Sequence, residues 1–145
     1  PDPTSTEATM DIEGAREVLR SQHRAVMATR RRNGSVQLSP VLVVLDDEGR
    51  PVVSSRQAAM KTKNLRRDPW ASLCVINDAF FGTWAQVDGP VGIIELPEAL
   101  ELLVDYYRAL SGEHPDWDEY RQAMVEHKRV ILRMTIEQAG PSAAG

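Results

Sequence analysis

The chain is short of the residues that anchor most recognisable chemistries. Its 145 residues hold one cysteine, Cys74, so no internal disulfide can form. That usage fits a reducing compartment, and a cytoplasmic location is the expectation. Only three histidines occur, His23, His114 and His127, and their scatter lacks the spacing of metal ligands. They read as surface or helix-end residues. There is no phosphate-binding P-loop, no G-x-G-x-x-G fingerprint and no G-x-S-x-G elbow. No apolar run approaches membrane-spanning length, so no membrane partner is expected. The net charge of −4 leaves no overall basic character for nucleic acid to use. The opening PDPTSTEATM lacks a basic stretch followed by an apolar run. It reads as a trimmed start rather than a secretory signal.

What is present describes one domain. Apolar residues make up 42% and charged residues 26%, enough for a core under a soluble surface. Residues 1–10 and 139–145 read as flexible ends around a domain at 11–138. Asp11 can cap a helix whose Ile12, Ala15, Val18 and Leu19 share a face. RAVMATRR (24–31) reads as a strand, and Asn33-Gly34 is a hairpin turn. SVQLSPVLVVLDD (35–47) reads as one long strand, with Pro40 marking an edge, bulge or bend. PVVSSR (51–56) pairs back after Glu48-Gly49. AAMKTKNLRR (58–67) reads as a helix stopped by Asp68-Pro69. WASLCVIND (70–78) and WAQVDGPVGIIEL (84–96) read as strands, the second bulged at Gly89-Pro90. Pro97 can open a helix carrying Leu100, Leu103, Tyr107 and Leu110 on one face. Asp116 with Glu119 reads as a capping box before another helix. KRVILRMTIEQ (128–138) is the last strand. Six strands joined mostly by hairpins, with helices outside, point to a mostly β fold, a small antiparallel barrel.

One stretch stands apart. Residues 54–69, SSRQAAMKTKNLRRDP, carry five basic side chains and one acid in an acidic protein. Lysines near a helix start oppose the macrodipole. The free N–H groups there attract anions. Lys61, Thr62, Ser54 and Ser55 around such a helix start would suit a phosphate. A solvated basic face explains the same charges equally well, and Arg66 and Arg67 fit that reading. In the strand 35–41, Gln37 and Ser39 share one face and Leu38 takes the other. That face, with backbone opened at Pro40, could meet a flat polar ring, or simply face water. Cys74 reads as a buried thiol. Trp70, Trp84 and Trp117 read as core or interface residues.

Three stretches, KTKNLRRDPWAS (61–72), SGEHPDWDEYRQAMVEHKRV (111–130) and NGSVQLSPV (33–41), together with the strand order, resemble the flavin/deazaflavin split β-barrel family. That family contains pyridoxamine 5'-phosphate oxidase. The likeness is nearer to its small actinobacterial branch, which binds coenzyme F420. The resemblance covers most of residues 11–138 and implies a homodimer of six-stranded split barrels with the cofactor at the interface. It places Lys61 and Asn64 on the cofactor phosphate, with Thr62 and Ser54 beside them. It places Gln37, Ser39, Pro40 and Val41 along the ring, and Arg129 near the phosphate or the anionic tail. Phe81, Gly82 and Thr83 align with a loop closing the site from the other subunit. Relatives carry an arginine where this chain has Ala59, and Arg56 stands three residues earlier.

The resemblance implies a deazaflavin-dependent oxidoreductase that passes a hydride to an unsaturated small molecule. In such enzymes the cofactor carries the chemistry and the protein binds, orients and shields it. FMN, with one phosphate and a flat ring, is the alternative cofactor, as in pyridoxamine 5'-phosphate oxidases. A barrel that stores a cofactor or a tetrapyrrole without turnover is the non-enzymatic alternative.

Overall fold

The computed structural model describes residues 10–141. The expected loose ends at 1–9 and 142–145 lie outside these residues. Helix α1 (Ile12–Ser21) starts where Asp11 Oδ1 accepts the Gly14 N–H at 2.7 Å, a cap that stabilises a helix by about 1 kcal/mol. Ala15, Val18 and Leu19 are its buried face. Strand β1 (Arg24–Arg30) turns through Asn33-Gly34 into β2 (Val36–Leu42). Gly34 has φ of +89° there, a conformation in which a side chain would be strained. Their register runs from Arg24 opposite Leu42 to Arg30 opposite Val36.

The expected long strand at 35–47 is two strands. The Val43 N–H donates to the His23 carbonyl at 2.8 Å, and His23 Nδ1 meets the Val43 carbonyl at 2.9 Å. They add one last rung, His23 opposite Val43, to the β1–β2 register. The chain then crosses to pair β3 (Val44–Leu45) with β4 (Pro51–Arg56). Helix α2 (Met60–Arg67) and β5 (Trp70–Asn77) follow. Strand β6 (Phe80–Ile94) pairs with β5 as far as Pro90 and with β7 (Arg129–Met134) from Val91. The bulge expected at Gly89-Pro90 is instead this change of partner. The ladder irregularity falls at Val75–Asn77, where residues 81–84 loop out of the pairing. Gly89 is required for another reason: a Cβ there would sit 1.8 Å from the Thr135 carbonyl oxygen.

Helix α3 (Ala99–Ser111) begins two residues beyond Pro97, with Glu98 as its cap position. Helix α4 (Trp117–Glu126) has the expected Asp116 cap, accepting from the Glu119 N–H at 3.1 Å. The last expected strand is also two, β7 and β8 (Gln138–Gly140). Strand β8 pairs with β6 through Ala139 and Gly140, so the ordered chain runs past the expected boundary at 138.

Among the described residues the result is an antiparallel sheet of eight strands rather than six, in the order β2-β1-β5-β6-β7-β4-β3 with β8 on the β6 flank. Its path is open, with β2 at one end. Pro40 therefore sits on an edge strand, where its missing N–H costs nothing. Strand β7 shows how the layers divide. Leu132 faces the core under α1, and Ile131 faces a second core under α3 and α4. Burial on both faces explains its unbroken apolar run. The outer face of β2 is bare by contrast, with Val36, Leu38 and Leu42 exposed, Leu38 at 66%. Among the described residues no helix is long and apolar enough to cross a membrane.

Candidate functional site

The end of β4, the start of α2 and the start of β7 meet at one place. Strand alternation sorts the β4 residues. Val53 and Ser55 face the α1 core, while Val52, Ser54 and Arg56 face the side of α3. In register, Ser54 lies opposite Ile131 and Arg56 lies opposite Arg129. Two groups of candidate residues follow from this, and their chemistry differs.

The inner group is neutral and satisfied. Ser55 Oγ and Thr62 Oγ1 share a hydrogen bond of 2.8 Å, and Thr62 donates to the Arg56 carbonyl at 2.8 Å. Asn64 donates to Thr29 Oγ1 at 3.2 Å and to Gln37 Oε1 at 3.3 Å. Gln37 donates in turn to Ser39 Oγ at 3.4 Å. Thr62 is 0% exposed and Asn64 1%. In this structure the Asn64 amide therefore ties α2 to β1 and β2. Buried and satisfied, such a network fixes the helix relative to the strands. Pro40 is exposed, and Val41 packs against the core.

The outer group is cationic. Arg56, Lys61 and Arg129 form no ion pair among the described residues, although most other arginines do. Arg129 Nε is buried with no hydrogen-bond partner. An unpartnered buried donor costs roughly 1–3 kcal/mol. Burial and then the nearby Arg129 charge hold the Lys61 ammonium below its usual range. Burial and then Arg56 do the same to Arg129. Helix α2 adds to the field. Its cap position is Ala59, which supplies no side-chain acceptor, and its first turn holds no acid. Ala59 thus leaves the helix start open, while Arg56 supplies charge from across the strand pair. A cavity of about 320 Å³ opens at Arg129, lined also by Gln57, Lys128, Leu96, Val130 and the Glu95 carboxylate.

Two contributors had no sequence signal. Tyr106 on α3 donates to the Leu42 carbonyl at 2.7 Å, closing the gap where β2 leaves the first ladder. Burial raises its phenol, against the pull of the Ser54 amide and Arg129. Tyr120 is pushed up to about 12, chiefly by burial. Arg67 is exposed, as expected of a solvated helix end, and also reaches Asn64 Oδ1 at 3.4 Å. Arg66 behaves as expected, paired with Glu95 at 2.7 Å. Cys74 is half-buried rather than fully buried. Trp70 is exposed, and Trp117 packs edge-on against Tyr107 and Tyr120. Phe81, at 83% exposure, Gly82 and Thr83 lie at the β5–β6 tip, outside both groups.

The sequence profile of pyridoxamine 5'-phosphate oxidase matches residues 12–142. The chain belongs to the pyridoxamine 5'-phosphate oxidase family. Solved structures agree on the fold. A conserved hypothetical protein, Rv2991, from Mycobacterium tuberculosis superposes with a TM-score of 0.75 at 23% identity, over 92% of this chain and 84% of its own. An F420 reductase superposes at 0.70 and 18% identity, over 88% and 96%. HutZ, a haem storage protein from Vibrio cholerae, gives 0.68 and 18%, over 92% and 96%. At these identities the three structures speak for the fold alone. The family takes its name from an oxidase, and the fold is shared with proteins named as an F420 reductase and as a haem storage protein.

Proposed function

We propose that this protein is a coenzyme F420-dependent oxidoreductase that acts on an unsaturated small molecule. The observation that carries the reading is the trio Arg56, Lys61 and Arg129. These cations crowd an uncapped helix start, lack any carboxylate partner among the described residues, and include the orphaned buried Arg129 Nε. Three unneutralised cations with open helix N–H groups fit a polyanionic tail of phosphate and carboxylates. Family membership supports an oxidoreductase, and the fold shared with an F420 reductase supports the deazaflavin.

In this reading Lys61, Arg56 and Arg129 hold the anionic tail. Gln37, Ser39, Pro40 and Val41 on β2 lie along the ring, positioned by the Asn64 network. When bound, the deazaflavin supplies hydride transfer, and no acid–base pair of the protein is needed for it. The bare apolar face of β2, opposite Gln37 and Ser39, supports a homodimer that braces the ring-bearing strand from behind. Leu38→Asp would then give monomers by light scattering and weaken cofactor binding with them.

The test is a parallel titration of F420 and FMN by fluorescence. Micromolar or tighter F420 binding, at least tenfold tighter than FMN, is the expected result. No quenching of either cofactor at micromolar concentrations would sink the reading. Tighter FMN binding would keep the site and replace the cofactor, in line with the family's name.

A further inference from the structure

A second cavity has none of the cation trio in its lining. It is a groove of about 450 Å³ between α3 and the turn joining β3 to β4. That volume falls in the range of small-molecule sites, about 300–1,000 Å³. Its floor is apolar, from Val44, Val52 and Ile131, and α3 adds Leu102 and Ala109 as a wall. Four acids line its rim, yet three of them are already engaged. Asp46 pairs with Arg50 at 2.8 Å and accepts the Glu48 and Arg50 N–H groups. Glu48 also meets Arg50, at 3.4 Å, and Asp105 meets Arg108 at 3.8 Å. Asp47 is exposed at the turn tip.

The remaining polar groups narrow the choice of occupant. Tyr106 forms the inner wall, but its hydroxyl is committed to the Leu42 carbonyl. Arg133 is half-buried and has no ion pair or side-chain hydrogen bond among the described residues. It shares a face of β7 with Ile131, so its guanidinium rises beside the apolar floor. A groove with an apolar floor, three of its four rim acids paired and one uncommitted guanidinium complements a molecule with an apolar body and one negative end. Arg133 lies four residues from Arg129, about 13 Å along an extended strand, and none of Arg56, Lys61 and Arg129 lines the groove.

We infer that this groove binds an amphipathic organic anion, with Arg133 as the anchor for its carboxylate or sulfonate. The probe is 8-anilinonaphthalene-1-sulfonate, titrated onto the full chain by fluorescence. N-phenyl-1-naphthylamine, its uncharged counterpart, is the control. Arg133→Gln weakens the sulfonate roughly tenfold, as expected for one charge-assisted contact, and leaves the amine unchanged. Ala109→Trp, an exposed substitution that fills the groove, weakens both. Lys61→Ala and Leu38→Asp change neither. Sulfonate binding unchanged in both Arg133→Gln and Ala109→Trp overturns the inference. So does a loss seen only in Lys61→Ala or only in Leu38→Asp, which would move the probe to the cofactor site or the sheet face.

Discussion

The two ends of helix α2 carry similar charges and opposite physics. At its start Lys61 shares its surroundings with Arg56 and Arg129, and no carboxylate among the described residues offsets them. At its end Arg66 pairs with Glu95 at 2.7 Å, both side chains nearly half exposed. The paired end is ordinary surface chemistry, worth little in water. The unpaired end destabilises the free protein through repulsion and desolvation, and no ion pair among the described residues offsets that. A count of basic residues does not separate these ends. Neutralisation and burial do.

The largest effect belongs to the unpaired end. Lys61→Ala is expected to lower cofactor affinity at least tenfold, about 1.4 kcal/mol or more. Arg66→Ala should change it less than twofold in the same titration. Equal losses from the two variants would erase the distinction. Arg129→Met comes next and separates stability from binding. Removing a buried donor without a partner should raise the melting temperature of the free protein by about 3 °C, near 1 kcal/mol, while cofactor affinity falls. A lower melting temperature would mean that Arg129 has a stabilising partner in solution.

The third effect is read in pH. Lys61 is held below its ordinary value near 10.5. A base with a lowered folded pKa binds fewer protons folded than unfolded. Stability therefore rises as pH climbs from that lowered value towards 10.5, and is lost again as pH falls back through it. Tyr106, Tyr120 and Cys74 are raised, so they act in the opposite sense as pH rises past their unfolded values. The informative quantity is thus the difference between parent and Lys61→Met. Over the upper pH range the parent should gain stability relative to the variant, followed by urea unfolding. Bound cofactor should abolish that gain, because an anion beside Lys61 favours its charged form.

Much of the fold was legible because local chemistry agrees with it. Asp11 and Asp116 cap their helices as their sequence positions imply, and Asn33-Gly34 turns the hairpin. The strand count was not legible, since a long apolar stretch does not announce a change of partner. The β1 ladder ends where Val43 meets His23, twenty residues away in sequence, and the chain then changes sheet partner. Gly89 looks like a bulge residue, yet it answers to a close approach of the Thr135 backbone. In the site, Lys61, Arg56 and Arg129 were readable as cations, but their lack of partners is a property of space. Tyr106 was invisible for the same reason. Its role depends on Leu42, 64 residues away in sequence. Thr62 and Asn64 lie at motif positions, while their burial and their bonds to Ser55, Thr29 and Gln37 emerge only from the packing of α2.

The smallest effect tests the other half of the comparison. Hydrogen bonds from Arg66 and then Gln57 hold the Glu95 carboxyl below its usual range. A lowered acid contributes stability above its unfolded pKa and loses it as pH falls through the folded one. Both partners are solvated, so screening should leave little of this at physiological salt. Glu95→Gln is therefore expected to leave the melting temperature at neutral pH almost unchanged. A small decrease should appear at low ionic strength and vanish by about 0.5 M salt, where the Debye length is only a few ångströms. Cofactor affinity should not move at all. If Glu95→Gln instead tightens cofactor binding, Arg66 has been released towards the anion. The boundary between the gripping and solvated parts of α2 would then lie beyond Asn64, at the last turn of the helix.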